Sequence, residues 1–217
     1  MIKAIVFDFD GVLADSEPLH LQAYQDVLAG LGATLTREEY YRTYLGYDDA
    51  GVFSALAEAH GWEMSGSKLS ALIAEKERVF DRLIETTDVL YPGAADCIEK
   101  LAAEYAIGIA SGALRPEIEA ILKRGRLDRH FQFIVASGDT PRSKPAPDPY
   151  LRAAELHRLS PDACLAIEDS HWGIVSAKDA GLTCVGIATT YPRAELARAD
   201  CVIDSLAEFT AELIRSL

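Results

Sequence analysis

Short apolar runs recur at residues 2–7, 106–110, 133–136, 163–167, 182–187 and 201–203, each too continuous to leave one face wet. A strand of that kind is buried on both sides, which is the situation of a parallel sheet covered by helices. The segments between them carry helical apolar spacing, as at 93–105, 115–123, 149–156, 172–180 and 206–217. Strand and helix therefore alternate, and the expected class is α/β with a mostly parallel sheet.

Residues 17–87 break that rhythm, because they hold only helical patterns, at 19–31, 52–60 and 69–84. The expected organisation is a catalytic core of residues 1–15 and 89–217 with a helical domain, 16–88, inserted after the first strand. An insertion at that point leaves from the carboxyl end of a strand, where open α/β sheets bind ligands, so it is expected to lid the site. The chain has 217 residues, enough for such a core plus a small inserted domain.

With 34 acids against 21 bases the formal charge is −13 and no Lys/Arg run is present, which argues against a nucleic-acid partner. Cys97, Cys164, Cys184 and Cys201 lack the paired spacing of a zinc site or redox motif, and read as reduced structural thiols. No apolar run approaches the roughly 18 residues of a membrane span. Met1 leads into the first strand without a basic segment and cleavage site, so a cytoplasmic location is expected. No motif dictates an oligomeric state, and a monomer is compatible with the sequence.

The first strand closes in Phe7-Asp8-Phe9-Asp10-Gly11, which puts two carboxylates on one face of an extended chain before a glycine permits a sharp turn. Two acids so close either share a proton or hold a metal, and their hard oxygens suit Mg²⁺. The second strand ends in Ser111-Gly112 and the fourth in Glu168-Asp169-Ser170, while Lys144 follows the third through a short loop. In a parallel sheet all of these converge on one edge. The set fits phosphoryl transfer, where catalysis is mostly positioning and neutralisation of negative charge. Asp8 is the expected nucleophile and Asp10 the acid/base. Mg²⁺ would be held by Asp8, the Asp10 backbone carbonyl, Glu168 and Asp169. Ser111 and nearby N–H groups at a helix start would bind the phosphoryl oxygens, and Lys144 would supply fixed positive charge.

The ordered segments Asp8-Phe-Asp-Gly-Val-Leu, Ala110-Ser111-Gly112, Ser143-Lys144-Pro-Ala-Pro-Asp148 and Ile167-Glu168-Asp169-Ser170 resemble the four motifs of the haloacid dehalogenase-like hydrolases, and Tyr91-Pro92-Gly93 resembles that family's re-entry into its core. The likeness spans the chain and is greatest to the branch with a helical cap, which includes β-phosphoglucomutase and many sugar-phosphate phosphatases. It implies a Rossmann-like core, a four-helix cap, Mg²⁺, an aspartyl-phosphate on Asp8 and a small phosphorylated metabolite as substrate. It also marks Gly46, Gly112, Lys76, Arg78 and above all His20 as candidate substrate-binding residues, His20 being similar to a position that links substrate binding to the acid/base aspartate.

The mutases of this branch carry a cap arginine at the position that corresponds to Asp49. A mutase must grip a distal phosphate, and Asp48 and Asp49 would repel one, so a phosphatase is the preferred reading and a phosphohexomutase the alternative. Phospho-accepting receiver domains use a similar set of acids, hydroxyl and lysine. They are shorter, place the acceptor on a later strand and lack a helical insertion. A silent phosphate-binding protein would be separated by testing hydrolysis of an aryl phosphate.

Overall fold

The computed structural model describes residues 1–45 and 47–217. Its contacts divide the chain into two compact units, Met1–Asp15 with Val89–Leu217, and Ser16–Asp88.

The larger unit is built on six parallel strands: β1 (Ala4–Phe7), β2 (Ala106–Ala110), β3 (Ile134–Val135), β4 (Cys164–Glu168), β5 (Thr183–Ile187) and β6 (Cys201–Ile203), in the order β3-β2-β1-β4-β5-β6. Every residue of β1 and β4 is buried, as their unbroken apolar runs require. Helices α5 (Ala94–Ala102), α6 (Arg115–Arg124), α7 (Asp148–His157), α8 (His171–Asp179) and α9 (Ala211–Ser216) connect or follow the strands. Ala4, Ala110, Ala153, Ala154, Ala166 and Ala177 sit in one buried cluster, where small side chains let α7 and α8 approach the sheet. Below it Phe7 meets Phe131 and Phe209 edge-on, at centroid distances of 6.1 and 5.9 Å, and its burial is worth about 2 kcal/mol.

Strand order reverses at β1, with β2 on one side and β4 on the other. Such a switch point opens a crevice beyond the carboxyl ends of the two central strands. The residues that leave those ends are Asp8 and Asp169.

The helical spacing read at 115–123 is α6, which starts at Arg115 with Pro116 in its first turn, where a missing N–H costs nothing, so a turn separates Ser111 from that helix start. The segment 206–217 is not one helix but a short turn, Leu206–Glu208, followed by α9, which Thr210 caps by accepting the Leu213 N–H at 3.2 Å.

The smaller unit contains α1 (Glu17–Ala29), α2 (Arg37–Glu39) running into a wider π-type turn (Tyr40–Tyr44), α3 (Asp49–His60) and α4 (Gly66–Thr86). Asp48 caps α3 by accepting the Gly51 N–H at 2.7 Å, and Gly61 ends it at φ +65°, a left-handed conformation that suits glycine. The buried stripe of α4 is Lys76, Val79, Phe80 and Ile84, at the spacing of one helix face. No helix among the described residues is long and apolar enough to cross a membrane. The four cysteines are free.

Candidate functional site

At the carboxyl edge of the larger unit, Asp8, Glu168 and Asp169 are all buried and offer carboxylate oxygens within 4.8 Å of one another. Asp8 continues β1 by donating its N–H to Ile167 O at 3.0 Å, which draws it to the end of β4. The Lys144 ammonium reaches between the acids, 2.9 Å from Asp8 Oδ1 and 2.5 Å from Glu168 Oε1. Glu168 Oε1 also accepts the Tyr150 phenol at 2.5 Å. Sequence reasoning assigned Tyr150 no role; it lies in the first turn of α7, and only the packing of that helix on the sheet brings it to Glu168.

Three carboxylates against one ammonium leave negative charge uncompensated, and the acids register it. Burial first, and then the charge of Asp8, push Glu168 up to about 8, against the pull of Lys144. The same two causes push Asp169 up to about 7, opposed by a hydrogen bond from Thr190 and by Lys144. For Lys144 burial works against the charged form, but Asp8 and Glu168 overcome it and hold the ammonium above the usual lysine range. A compact, hard dication answers the remaining imbalance, and an all-oxygen donor set of this kind fits one. Asp8, Glu168 and Asp169 would hold it.

The loop after β1 is shaped around this cluster. Gly11 has φ +76°, and a Cβ there would overlap the Asp169 carboxylate and the Thr190 hydroxyl. Thr189 donates to the Gly11 carbonyl, tying the loop after β5 to the loop after β1. Asp10, half-buried in that turn, bridges to Ala14. Ser111 follows β2, its N–H donating to Val135 O at 2.9 Å and its Oγ accepting the Ala113 N–H at 3.1 Å. Gly112 has open space about its Cα. Ser170 caps α8 by accepting the Gly173 N–H at 3.1 Å, while its own hydroxyl lies 3.3 Å from Glu168 Oε2.

The smaller unit gathers a second polar cluster of its own. Lys76, only 1% exposed, places its ammonium 2.9 Å from Asp49 Oδ1 and 2.8 Å from His20 Nδ1. Tyr24 donates to the same Asp49 oxygen at 2.5 Å, and the Lys76 ammonium lies 5.2 Å and 5.0 Å from the Tyr24 and Phe80 rings. His20 stacks on Phe80 at 4.1 Å. Burial, and then the Lys76 charge, push His20 down to about 3, so it is neutral near pH 7 and accepts from the ammonium through Nδ1.

Of the two basic candidates on α4, Lys76 is buried and Arg78 is an exposed partner of Glu75, since residues two apart on a helix point different ways. Asp49 is likewise not an unpaired acid, since Lys76 and Tyr24 both occupy it. Gly46 lies outside the described residues. Asp49→Ala should strand a buried ammonium and cost about 2 kcal/mol, or roughly 4–8 °C in melting temperature, with Asp49 itself part-exposed. Lys76→Met should cost less than half as much, because Asp49 keeps Tyr24 and some water. Thermal melts that rank the two in the opposite order would refute this account of the pair.

A six-stranded parallel sheet with buried carboxylates and a lysine gathered at its switch-point edge defines an α/β enzyme built to handle anionic oxygen groups. The chain belongs to the haloacid dehalogenase-like hydrolase family, which matches residues 5–187. It is 33% identical to CbbY of Rhodobacter capsulatus, over 100% of this chain and 99% of that protein. To hexitol phosphatase B of Escherichia coli K12 it is 32% identical, over 97% of this chain and 96% of that one. The crystal structure of a CbbY variant from Rhodobacter sphaeroides in complex with xylulose-(1,5)bisphosphate superimposes with a TM-score of 0.82 at 30% identity, covering 96% of each chain. The protein is thus an enzyme of the phosphatase and phosphomutase kind.

Proposed function

We propose that this protein is a Mg²⁺-dependent phosphatase that hydrolyses the monoester of a small sugar or polyol through an aspartyl-phosphate on Asp8. The observation that carries the reading is the Lys144 ammonium set between Asp8 and Glu168, beside Asp169, at the carboxyl edge of the sheet. Asp8 attacks phosphorus; the Asp8 O–P bond forms as the ester P–O bond breaks, and Asp10 gives its proton to the departing alkoxide. Water then attacks the acyl phosphate while Asp10 takes its proton, releasing phosphate and restoring Asp8. Lys144 and the Ser111 hydroxyl offset the charge on the phosphoryl oxygens. A divalent ion held by Asp8, Glu168 and Asp169 would supply Lewis-acid neutralisation of the attacking carboxylate and the phosphate.

The phosphatase reading is favoured over the mutase by the state of the cap cation. A mutase must hold a second phosphate there, and Lys76 is already neutralised by Asp49 within its own unit. A relative named hexitol phosphatase B and a similar CbbY structure that holds xylulose-(1,5)bisphosphate support a phosphorylated carbohydrate as substrate, and a site in the cytoplasm would suit one.

The test is phosphate release, with Mg²⁺ and with chelator, from hexose, hexitol and pentulose phosphates, nucleotides and phosphoglycolate, alongside conversion of glucose 1-phosphate to glucose 6-phosphate. Metal-dependent release, strongest on a sugar or polyol phosphate, is the expected result. Isomerisation with little free phosphate would replace the reading with a mutase, and no reaction on any ester would sink it.

A further inference from the structure

Pro149 sets the first turn of α7, and Tyr150 follows it with no exposed surface. Its phenol and the Lys144 ammonium both donate to Glu168 Oε1, each at 2.5 Å, so both lone pairs of that oxygen are used. The Tyr150 ring also lies 5.1 Å from the ammonium, within reach of a cation–π contact. Among the described residues Oε2 accepts the longer bond from Ser170 alone, at 3.3 Å. On another side the carboxylate abuts Gly173, where even a Cβ would overlap it. Glu168 therefore has one oxygen engaged by two donors, one held by a single longer bond and left for a cation, and a wall at Gly173 that closes that side to it.

We propose that Tyr150 is a positioning residue for the metal site: by sharing Glu168 Oε1 with Lys144 it leaves Oε2 to the cation and keeps the lysine directed at Asp8. The proposal rests on the metal-dependent reading above. Phenylalanine would fill the same space and keep the ring under the ammonium while removing the one hydrogen bond. Glu168 would then lose a donor in a fully buried place, and its carboxylate would be freer to turn toward Lys144 with both oxygens.

The test is Mn²⁺ binding to the full-length, substrate-free protein by titration calorimetry, with steady-state kinetics at saturating metal on the best ester. Tyr150→Phe should weaken Mn²⁺ binding on the order of tenfold, the effect of one hydrogen bond to a charged group. It should also lower kcat severalfold with little change in KM. In a Glu168→Gln background the same change should leave Mn²⁺ affinity within about twofold, because the route through Glu168 is already gone. A Tyr150→Phe protein that melts lower but binds Mn²⁺ like wild type overturns the proposal, as does a full tenfold loss in the Glu168→Gln background. If Tyr150→Phe folds poorly, that background still decides, since it compares two proteins that lack the charged acceptor. Wild-type protein that binds no Mn²⁺ would overturn the metal reading and this proposal together, whereas normal wild-type binding with an unaffected variant overturns this one alone.

Discussion

Asp8→Asn is expected to reduce phosphate release at least ~10⁴-fold while leaving the fold as stable as wild type or more so. The chemical half of the expectation follows from the loss of the anionic nucleophile: an amide attacks phosphorus poorly, and Asp8 is the acid that Lys144 addresses at 2.9 Å. The stability half follows from the cluster. The Asp8 charge is the second cause, after burial, of the upward shifts of Glu168 and Asp169. Removing it relieves repulsion between buried anions, and Lys144 keeps its shorter contact to Glu168 at 2.5 Å. Kinetics and metal-free thermal melts check the two halves, and mass spectrometry of acid-quenched protein should find a phosphoryl adduct in wild type only. Turnover above a few per cent of wild type would remove Asp8 from the mechanism.

The parts of this molecule that could be read ahead of the structure are those whose cause is local. The central strands β1 and β4 are buried on both faces, so their sequences are unbroken apolar runs, and the acids and Ser111 stand at or just past the ends of such runs, with Lys144 a loop beyond another. The parallel order then brings them to one edge. The cap is harder to read because its polar residues are chosen by partners far along the chain. Lys76 sits in register with Val79, Phe80 and Ile84, a position that marks it as inward-facing. Its spacing from Arg78 carried that signal too, yet basic side chains on a helix suggest a wetted face. The turn at Tyr40–Tyr44 shows no 3.6-residue period, since it is wound more widely than an α-helix. Tyr150 stands two residues past the Ser143–Asp148 motif and is not legible as a donor to Glu168, because nothing near it in sequence says how far α7 lies from β4.

Lys144→Met should lower turnover about 10³-fold, and without metal it should lower the melting temperature by roughly 10 °C at pH 8.5 but by much less at pH 6. The side chain sits between Asp8 and Glu168, and methionine fills the space of its stem while removing the ammonium in contact with both. Lys144 pulls Glu168 and Asp169 downward, so without it both rise beyond about 8 and about 7. A carboxyl whose pKa is higher folded than unfolded holds its proton more tightly in the folded state. Its cost to folding is absent below the unfolded pKa, grows as pH rises toward the folded one, and is full above it. In wild type that window runs from about pH 4 to about pH 8, and in the variant its upper end moves further up. At pH 6 the variant can keep its protons and stay folded; at pH 8.5 it must either hold them against solvent or bury anions with no cation between them. Mg²⁺ should recover much of the loss at the higher pH, since it replaces the missing charge. Melts at both pH values with and without Mg²⁺ decide the matter: equal stability at the two, or turnover within tenfold of wild type, would show that Lys144 does not hold this cluster together.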